Sequence, residues 1–214
     1  MVVHCASNRA KAKETRKLIE EKGGKAAVVT GDLTDPCTAE RLMAENGPLD
    51  ALVLDASMQI RRPWQKISLE KYQKQMTCNF YSSLRLIQLA VPHMKAQKWG
   101  RIVTIGSVQE RKPHPDMLVY SASKAAQTNM VQSLAQQLAA DGITVNNVAP
   151  GVIFTDRNVE ALSDPTYAAE VTASIPAGFY GEPRDCAGVV RLLLSDAARY
   201  ITGQSIYVDG GKSL

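Results

Sequence analysis

The sequence predicts an α/β fold. Short apolar runs at Ala26 to Thr30, Leu49 to Leu54, Ile102 to Ile105 and Ile143 to Val148 read as buried strands, because glycine, proline or polar turn residues bound them. Longer stretches with apolar residues at helical spacing lie between them, the longest at Ser68 to Lys98 and Tyr120 to Ala140. Strand and helix therefore alternate along the chain, the pattern of an α/β domain. With 214 residues and 45% hydrophobic content, one domain spanning 1–214 and one sizeable core are expected.

Each element has a local reason. Met1 to Cys5 (MVVHC) begins as a strand, and a polar turn at Ser7-Asn8 opens a helix through Glu21 that stops at Gly23-Gly24. After the strand ending at Thr30 comes Gly31-Asp32-Leu33-Thr34-Asp35, with Thr34 or Asp35 expected to cap a helix over Pro36 to Glu45. Gly47-Pro48 turns the chain into the strand Leu49 to Leu54, which ends in Asp55-Ala56-Ser57. Ser68 to Lys98 reads as one helix burying Tyr72, Met76, Asn79, Phe80, Leu84, Ile87 and Val91 along a drifting stripe, with Pro92 able to kink it. Asp141-Gly142 ends the helix begun near Leu118, Pro150-Gly151 follows the strand Ile143 to Val148, and Asp156 to Phe179 carries the weakest pattern. Glu182-Pro183-Arg184-Asp185 opens the last helix, and Ser205 to Val208 forms the last strand before Asp209-Gly210-Gly211.

Arg101 to Lys124 concentrates the chemistry. Its strand delivers Ser107 at the carboxyl end, and Tyr120 and Lys124 share one helix face one turn apart. A tyrosine hydroxyl, with a pKa of about 10, exchanges protons poorly at neutral pH. A neighbouring ammonium favours the phenolate and draws it toward the working range. Ser107 could hydrogen-bond a substrate oxygen as its charge changes, so the three make an acid/base site that needs no metal. A Tyr-x-x-x-Lys pair alone is weak: with this composition chance supplies one roughly 0.4 times. The strand-end serine, the small residues around Lys124 and the run Asn146-Asn147-Val148-Ala149-Pro150-Gly151 add weight.

In these motifs the chain resembles the short-chain dehydrogenase/reductase family, from Val2 to Gly211. The resemblance implies a doubly wound (Rossmann-like) parallel sheet between two helical layers, and hydride transfer between a nicotinamide cofactor and a small carbonyl or alcohol. It makes Tyr120 the acid/base, Ser107 the partner of the substrate oxygen, Lys124 the group that lowers the tyrosine pKa and holds the nicotinamide ribose, and Asn79 the fourth catalytic residue, in a kinked helix that holds a water. It places Asp32 and Leu33 at the adenine, Asp55, Ala56 and Ser57 at the central strand ends beside the cofactor, and Pro150, Gly151, Ile153 and Thr155 at the nicotinamide amide. It also implies a homodimer or homotetramer built on the two long helices, and a substrate-covering lid after Asp156.

The chain departs from the family pattern in two places. Leu54, Asp55 and Ser57 stand where the family has Asn, Asn and Gly. The glycine-rich turn after the first strand has no counterpart, because Met1 falls where the family's second strand begins. Truncation with local rearrangement, direct pairing of the strand at Val2 with that at Leu52, or another chain filling the place are the three expectations, truncation being preferred. Unpaired strand edges inside a protein cost roughly 1 to 3 kcal/mol per group, so an open slot is not expected to persist. Nucleotide affinity is then expected to be impaired. No carboxylate stands at the end of the Val2 strand, where Ser7, Asn8 and Arg9 could hold a 2′-phosphate; NADP is expected, with NAD as the alternative.

Composition excludes other classes. The net charge of +4 is mixed in sign along the chain, so no nucleic-acid partner is expected. Four widely spaced cysteines and three scattered histidines suggest a reduced, metal-free protein, and no apolar stretch approaches the ~20 residues that span a bilayer, so a cytoplasmic location is expected. Gln109, Arg111, Lys112 and His114 near the mouth suit a polar or anionic substrate. The rival reading is a non-catalytic relative serving assembly or regulation.

Overall fold

The computed structural model describes residues 1–214, apart from the side chains at 160 and 161. Its main sheet is four-stranded and parallel, in the order β3 (Ala51–Leu54), β4 (Gly100–Ile105), β5 (Ile143–Pro150), β6 (Ser205–Val208). The register joins Leu52 to Ile102, Ile102 to Val145 and Val148 to Ile206. Alternation along each strand divides the core in two. Leu52, Leu54, Ile102, Ile143 and Val145 pack with Ile87, Ala90 and Met94 of α4 (Ser82–Ala96) and with Met130, Val131, Ala135 and Leu138 of α5 (Leu118–Leu138). On the opposite face Val103 and Val148 meet Leu193 of α8 (Pro183–Leu193) and Ala198. The chain has the Rossmann-like α/β architecture.

A second, two-stranded parallel sheet joins β1 (Val2–Cys5) to β2 (Ala27–Thr30), with α1 (Arg9–Glu21) packed against both. Direct pairing of the Val2 strand with the Leu52 strand, one of the three alternatives, does not form. Among the described residues β1 pairs only β2, and β3 pairs only β4. Helices tie the two sheets together instead. Glu40 on α2 (Thr38–Asn46) accepts from Arg85 on α4 at 2.6 and 2.9 Å, and Leu33 and Leu42 pack with Cys78. A small cleft of about 90 Å³ lined by His4, Leu33, Val53, Asp55 and Ala56 separates β1 from β3, and Val53 is 44% exposed. The slot therefore stays open, contrary to expectation, while α2 packs on α4 beside it.

Other local expectations need correction. Cys37, not Thr34 or Asp35, is the N-cap of α2, while Asp35 accepts from the Cys37 N–H. The 68–98 helix is α3 (Leu69–Met76), a π-helical turn at Thr77–Tyr81, and α4. The turn carries Asn79 inward, where its oxygen accepts from the Met58 N–H (2.7 Å) and its nitrogen donates to the Met58 carbonyl and Ser123 Oγ (both 2.9 Å). This extra residue per turn breaks the 3.6-residue stripe, so Tyr72 lies 46% exposed rather than buried. The weakly patterned 156–179 region holds two helices, α6 (Asp156–Leu162) and α7 (Pro165–Ala173), the latter capped by Asp164 accepting from the Thr166 and Tyr167 N–H groups. Among the described residues no helix is long and apolar enough to cross a membrane.

Candidate active site

Ser107 follows β4 by two residues in extended backbone (φ −166°, ψ 149°), its Oγ accepting from the Gln109 N–H at 3.2 Å. The bend is possible because residue 106 is glycine: a Cβ there would come within 2.6 Å of the Asn147 amide and the Glu110 carboxylate. Those two groups belong to a network behind Ser107. Glu110 Oε1 accepts from Ser205 Oγ (2.6 Å), Tyr207 OH (3.1 Å) and Asn147 Nδ2 (3.2 Å), and Thr104 Oγ1 donates to Asn147 Oδ1 (2.7 Å). Burial, then the Glu110 charge, raises the Tyr207 pKa above its ordinary value. The ends of β4, β5 and β6 are thereby pinned beneath the serine.

Tyr120 is buried in the first turn of α5, and Lys124 below it is 1% exposed. Lys124 Nζ donates to the Ile105 carbonyl (2.7 Å) and Gln127 Oε1 (3.3 Å), and lies 5.8 Å from the Tyr120 ring centroid. Burial lowers its pKa from 10.5 to about 8, against the pull of Asp55. It is thus a cation at neutral pH.

Two cavities meet at this point. The larger, about 700 Å³, is lined by Ser107 and Tyr120 together with Asp55, Ser57, Pro150, Gly151, Ile153 and Thr155. The smaller, about 230 Å³, also has Ser107, Tyr120 and Gly151 in its wall. Gly151 is where β6 closes in: a Cβ would sit 2.7 Å from the Asp209 Cα.

The remaining predicted residues sit apart from the larger cavity. Ala56 and Leu33 line the cleft between the sheets, with Leu33 5% exposed in an apolar cluster. Exposed Asp32 accepts from the Thr34 N–H, and that bond holds its carboxyl below the usual range. Asn8 caps α1 by accepting from the Lys11 N–H, and Ser7 and Arg9 are exposed beside it. Ser57 is already engaged by a residue the sequence did not single out: Arg157 Nη2 donates to its carbonyl (3.2 Å) and Oγ (3.1 Å). Arg61 and Lys212 in the smaller cavity were also missed; the Arg61-Arg62 pair after a strand end and the lysine closing Gly210-Gly211-Lys212 were the available signals.

The larger cavity falls in the ~300–1,000 Å³ range of small-molecule and cofactor sites. Its lining combines apolar Val53, Ile105, Val190 and Leu194 with Thr155, Ser107, Arg157 and Arg191, a mix that suits a flat ring with an amide and an anionic linker, the features of a nicotinamide nucleotide. A Rossmann-like sheet with a strand-end serine and a Tyr-Lys pair between two cavities defines a dinucleotide-dependent oxidoreductase class.

Comparison with known proteins agrees. A family model described as enoyl-(acyl carrier protein) reductase matches residues 1–213. The chain is 34% identical over 219 residues to 3beta-hydroxysteroid dehydrogenase 1 of Eggerthella lenta, covering 100% of this chain and 84% of that protein. It is 37% identical over 203 residues to glucose 1-dehydrogenase of Gluconobacter oxydans, covering 92% and 76%. The crystal structure of a 3-oxoacyl (acyl-carrier-protein) reductase from Agrobacterium tumefaciens with NADP bound superposes with a TM-score of 0.92 at 33% identity, over 98% of this chain and 83% of that one. The chain belongs to the short-chain dehydrogenase/reductase family, and the oxidoreductase reading stands over the non-catalytic one.

Proposed function

We propose that this protein is an NADP-preferring oxidoreductase acting on a small carbonyl or secondary-alcohol substrate. One observation carries the reading: Ser107 and Tyr120 stand in the walls of both cavities, so a group in one can react with a group in the other beside the same two hydroxyls. When bound, NADPH supplies the hydride. In reduction Tyr120 gives its hydroxyl proton to the substrate oxygen, and Ser107 donates a hydrogen bond to that oxygen; in oxidation the proton returns to Tyr120.

Lys124 places its ammonium 5.8 Å from the Tyr120 ring centroid, and its contact with the Ile105 carbonyl keeps it at the base of the site. Asn79 acts through its bonds to Met58 and Ser123, which fix the loop after β3 against α5. Pro150, Gly151, Ile153 and Thr155 would hold the nicotinamide end, with Asp55 and Ser57 beside it. Asp32, Leu33 and Ala56 would serve the adenosine end, and Ser7, Asn8 and Arg9 the 2′-phosphate. The same reading takes the protein as one cytoplasmic domain that forms a homodimer or homotetramer.

The test is a calorimetric NADPH titration coupled with turnover of a carbonyl panel by the parent and Tyr120→Phe proteins. The variant is expected to bind NADPH like the parent and to lose about 10²-fold or more in kcat. Retained turnover in Tyr120→Phe would overturn the assignment.

A further inference from the structure

The smaller cavity has a wall that the hydride chemistry leaves unexplained. Arg61 from the loop after β3, Arg157 from α6 and Lys212 from the turn after β6 converge on it, with His114 alongside. Among the described lining residues none is acidic. Asp209, the carboxylate nearest Lys212 in sequence, accepts from the Gly211 and Ser213 N–H groups. A second lysine crowds the first: Lys112 Nζ donates to the Lys212 carbonyl at 3.0 Å. Burial, then the Lys112 charge, lowers the Lys212 pKa, so the ammonium is held where its charge is disfavoured. The Asp209 charge partly offsets that of Lys112, and Lys212 Nζ also donates to Ser174 Oγ. An anion in this cavity would meet cationic side chains from three separate segments.

The size narrows the ligand. About 230 Å³ leaves room for a small polar molecule. Gln59, Gln109 and Asn158 add neutral amides to the same wall, suited to hydroxyl groups. We propose that the smaller cavity binds the anion of a small hydroxy or oxo acid, with Arg61 and Lys212 holding the carboxylate and the carbon to be oxidised or reduced lying between them and Tyr120. This rests on the oxidoreductase reading for the reaction, and on the cationic wall for the substrate class. Arg157 lines both cavities and serves either ligand; Arg61 and Lys212 line only the smaller one, which makes them the discriminating positions.

The experiment titrates three matched pairs by calorimetry, with and without saturating NADP: gluconate against sorbitol, tartrate against threitol, and lactate against propane-1,2-diol. The parent protein is expected to bind at least one acid tenfold or more tighter than its neutral partner. That preference should fall at least fivefold in Arg61→Met and in Lys212→Met and return in Lys212→Arg; Arg61 is exposed, so its variant tests the idea even if the half-buried Lys212 position disturbs folding. Equal affinity within every pair, or a preference unchanged in both Met variants, would overturn the proposal. Acid-selective binding without any nicotinamide-linked turnover would leave the anion site standing and remove the oxidoreductase reading. Turnover of acids and neutral partners with equal kcat/KM would keep that reading and refute the anion site.

Discussion

Glu110 is the residue whose removal tests the polar support beneath Ser107. Its carboxylate accepts from Asn147, Ser205 and Tyr207, on two different strands, and its own N–H donates to the Ser107 carbonyl at 3.0 Å. In Glu110→Ala the partners do not suffer equally. Asn147 Nδ2 keeps Thr128 Oγ1 (3.2 Å) and Ser205 Oγ (2.8 Å), while Tyr207 OH loses its charged acceptor and keeps only the Ser205 hydroxyl beside it. At about 1.5–3 kcal/mol for a bond to a charged group, three partly compensated losses sum to about 2–4 kcal/mol of stability. For a chain of this length that corresponds to about 4–16 °C in Tm. Urea melts give the free energy, and tyrosine absorbance during an alkaline titration gives an independent reading, since Tyr207 should ionise at lower pH once the Glu110 charge is gone. Glu110→Gln, which keeps an acceptor oxygen, should cost less than Glu110→Ala. A loss under about 0.5 kcal/mol, within the range of an ordinary surface substitution, together with an unmoved Tyr207 titration, would refute the reasoning.

Two further outcomes are expected. Lys124 sheds its proton at about 8 in the folded protein and at 10.5 when exposed, so between these values the unfolded chain binds more protons and stability rises with pH. The cost of the buried ammonium, up to about 3 kcal/mol, is fully present below pH 8 and relieved by 10.5; urea melts across this window should show the rise in the parent and a flatter profile in Lys124→Met. Arg9→Glu should lower the ratio of NADP to NAD affinity tenfold or more in paired titrations, and an unchanged ratio would show that the exposed end of α1 does not read the 2′-phosphate.

Much of this molecule is legible in local order. The apolar runs that become β2 to β5, the glycine stops after α1 and α5, and the placement of Tyr120 and Lys124 one turn apart all follow from short-range periodicity and turn chemistry. Ser107 is legible for the same reason, because the run before it ends where the strand ends. Asn79 was named as a residue, but the π turn that buries it depends on Met58 and Ser123, 21 and 44 positions away, and no periodicity reports such bonds. Helix α7 was missed because its stabilising signals, the capping Asp164 and Pro165 at the first turn, are shorter than the window in which a pattern shows, and α6 was missed with it.

What the sequence by itself determined is most of the strands and longer helices and the proximity of Tyr120 and Lys124, since both depend on neighbours within a few residues. Only the tertiary structure decided which distant groups share a site. Arg101 looks like the polar start of a strand, yet it is 2% exposed, stacked over Trp99 and bonded to the Ser195 and Gly142 carbonyls and to Asp196. Arg61, Arg157 and Lys212 look like solvated charges, yet the fold gathers them around one cavity. The gap between β1 and β3 is likewise visible only in the tertiary structure: the two sheets do not pair, and α2 joins them through the Leu42–Cys78 contact and the Glu40–Arg85 ion pair. Propensity acts through local backbone geometry, whereas cavities, ion clusters and strand order follow from how whole elements pack, which no single stretch of sequence encodes.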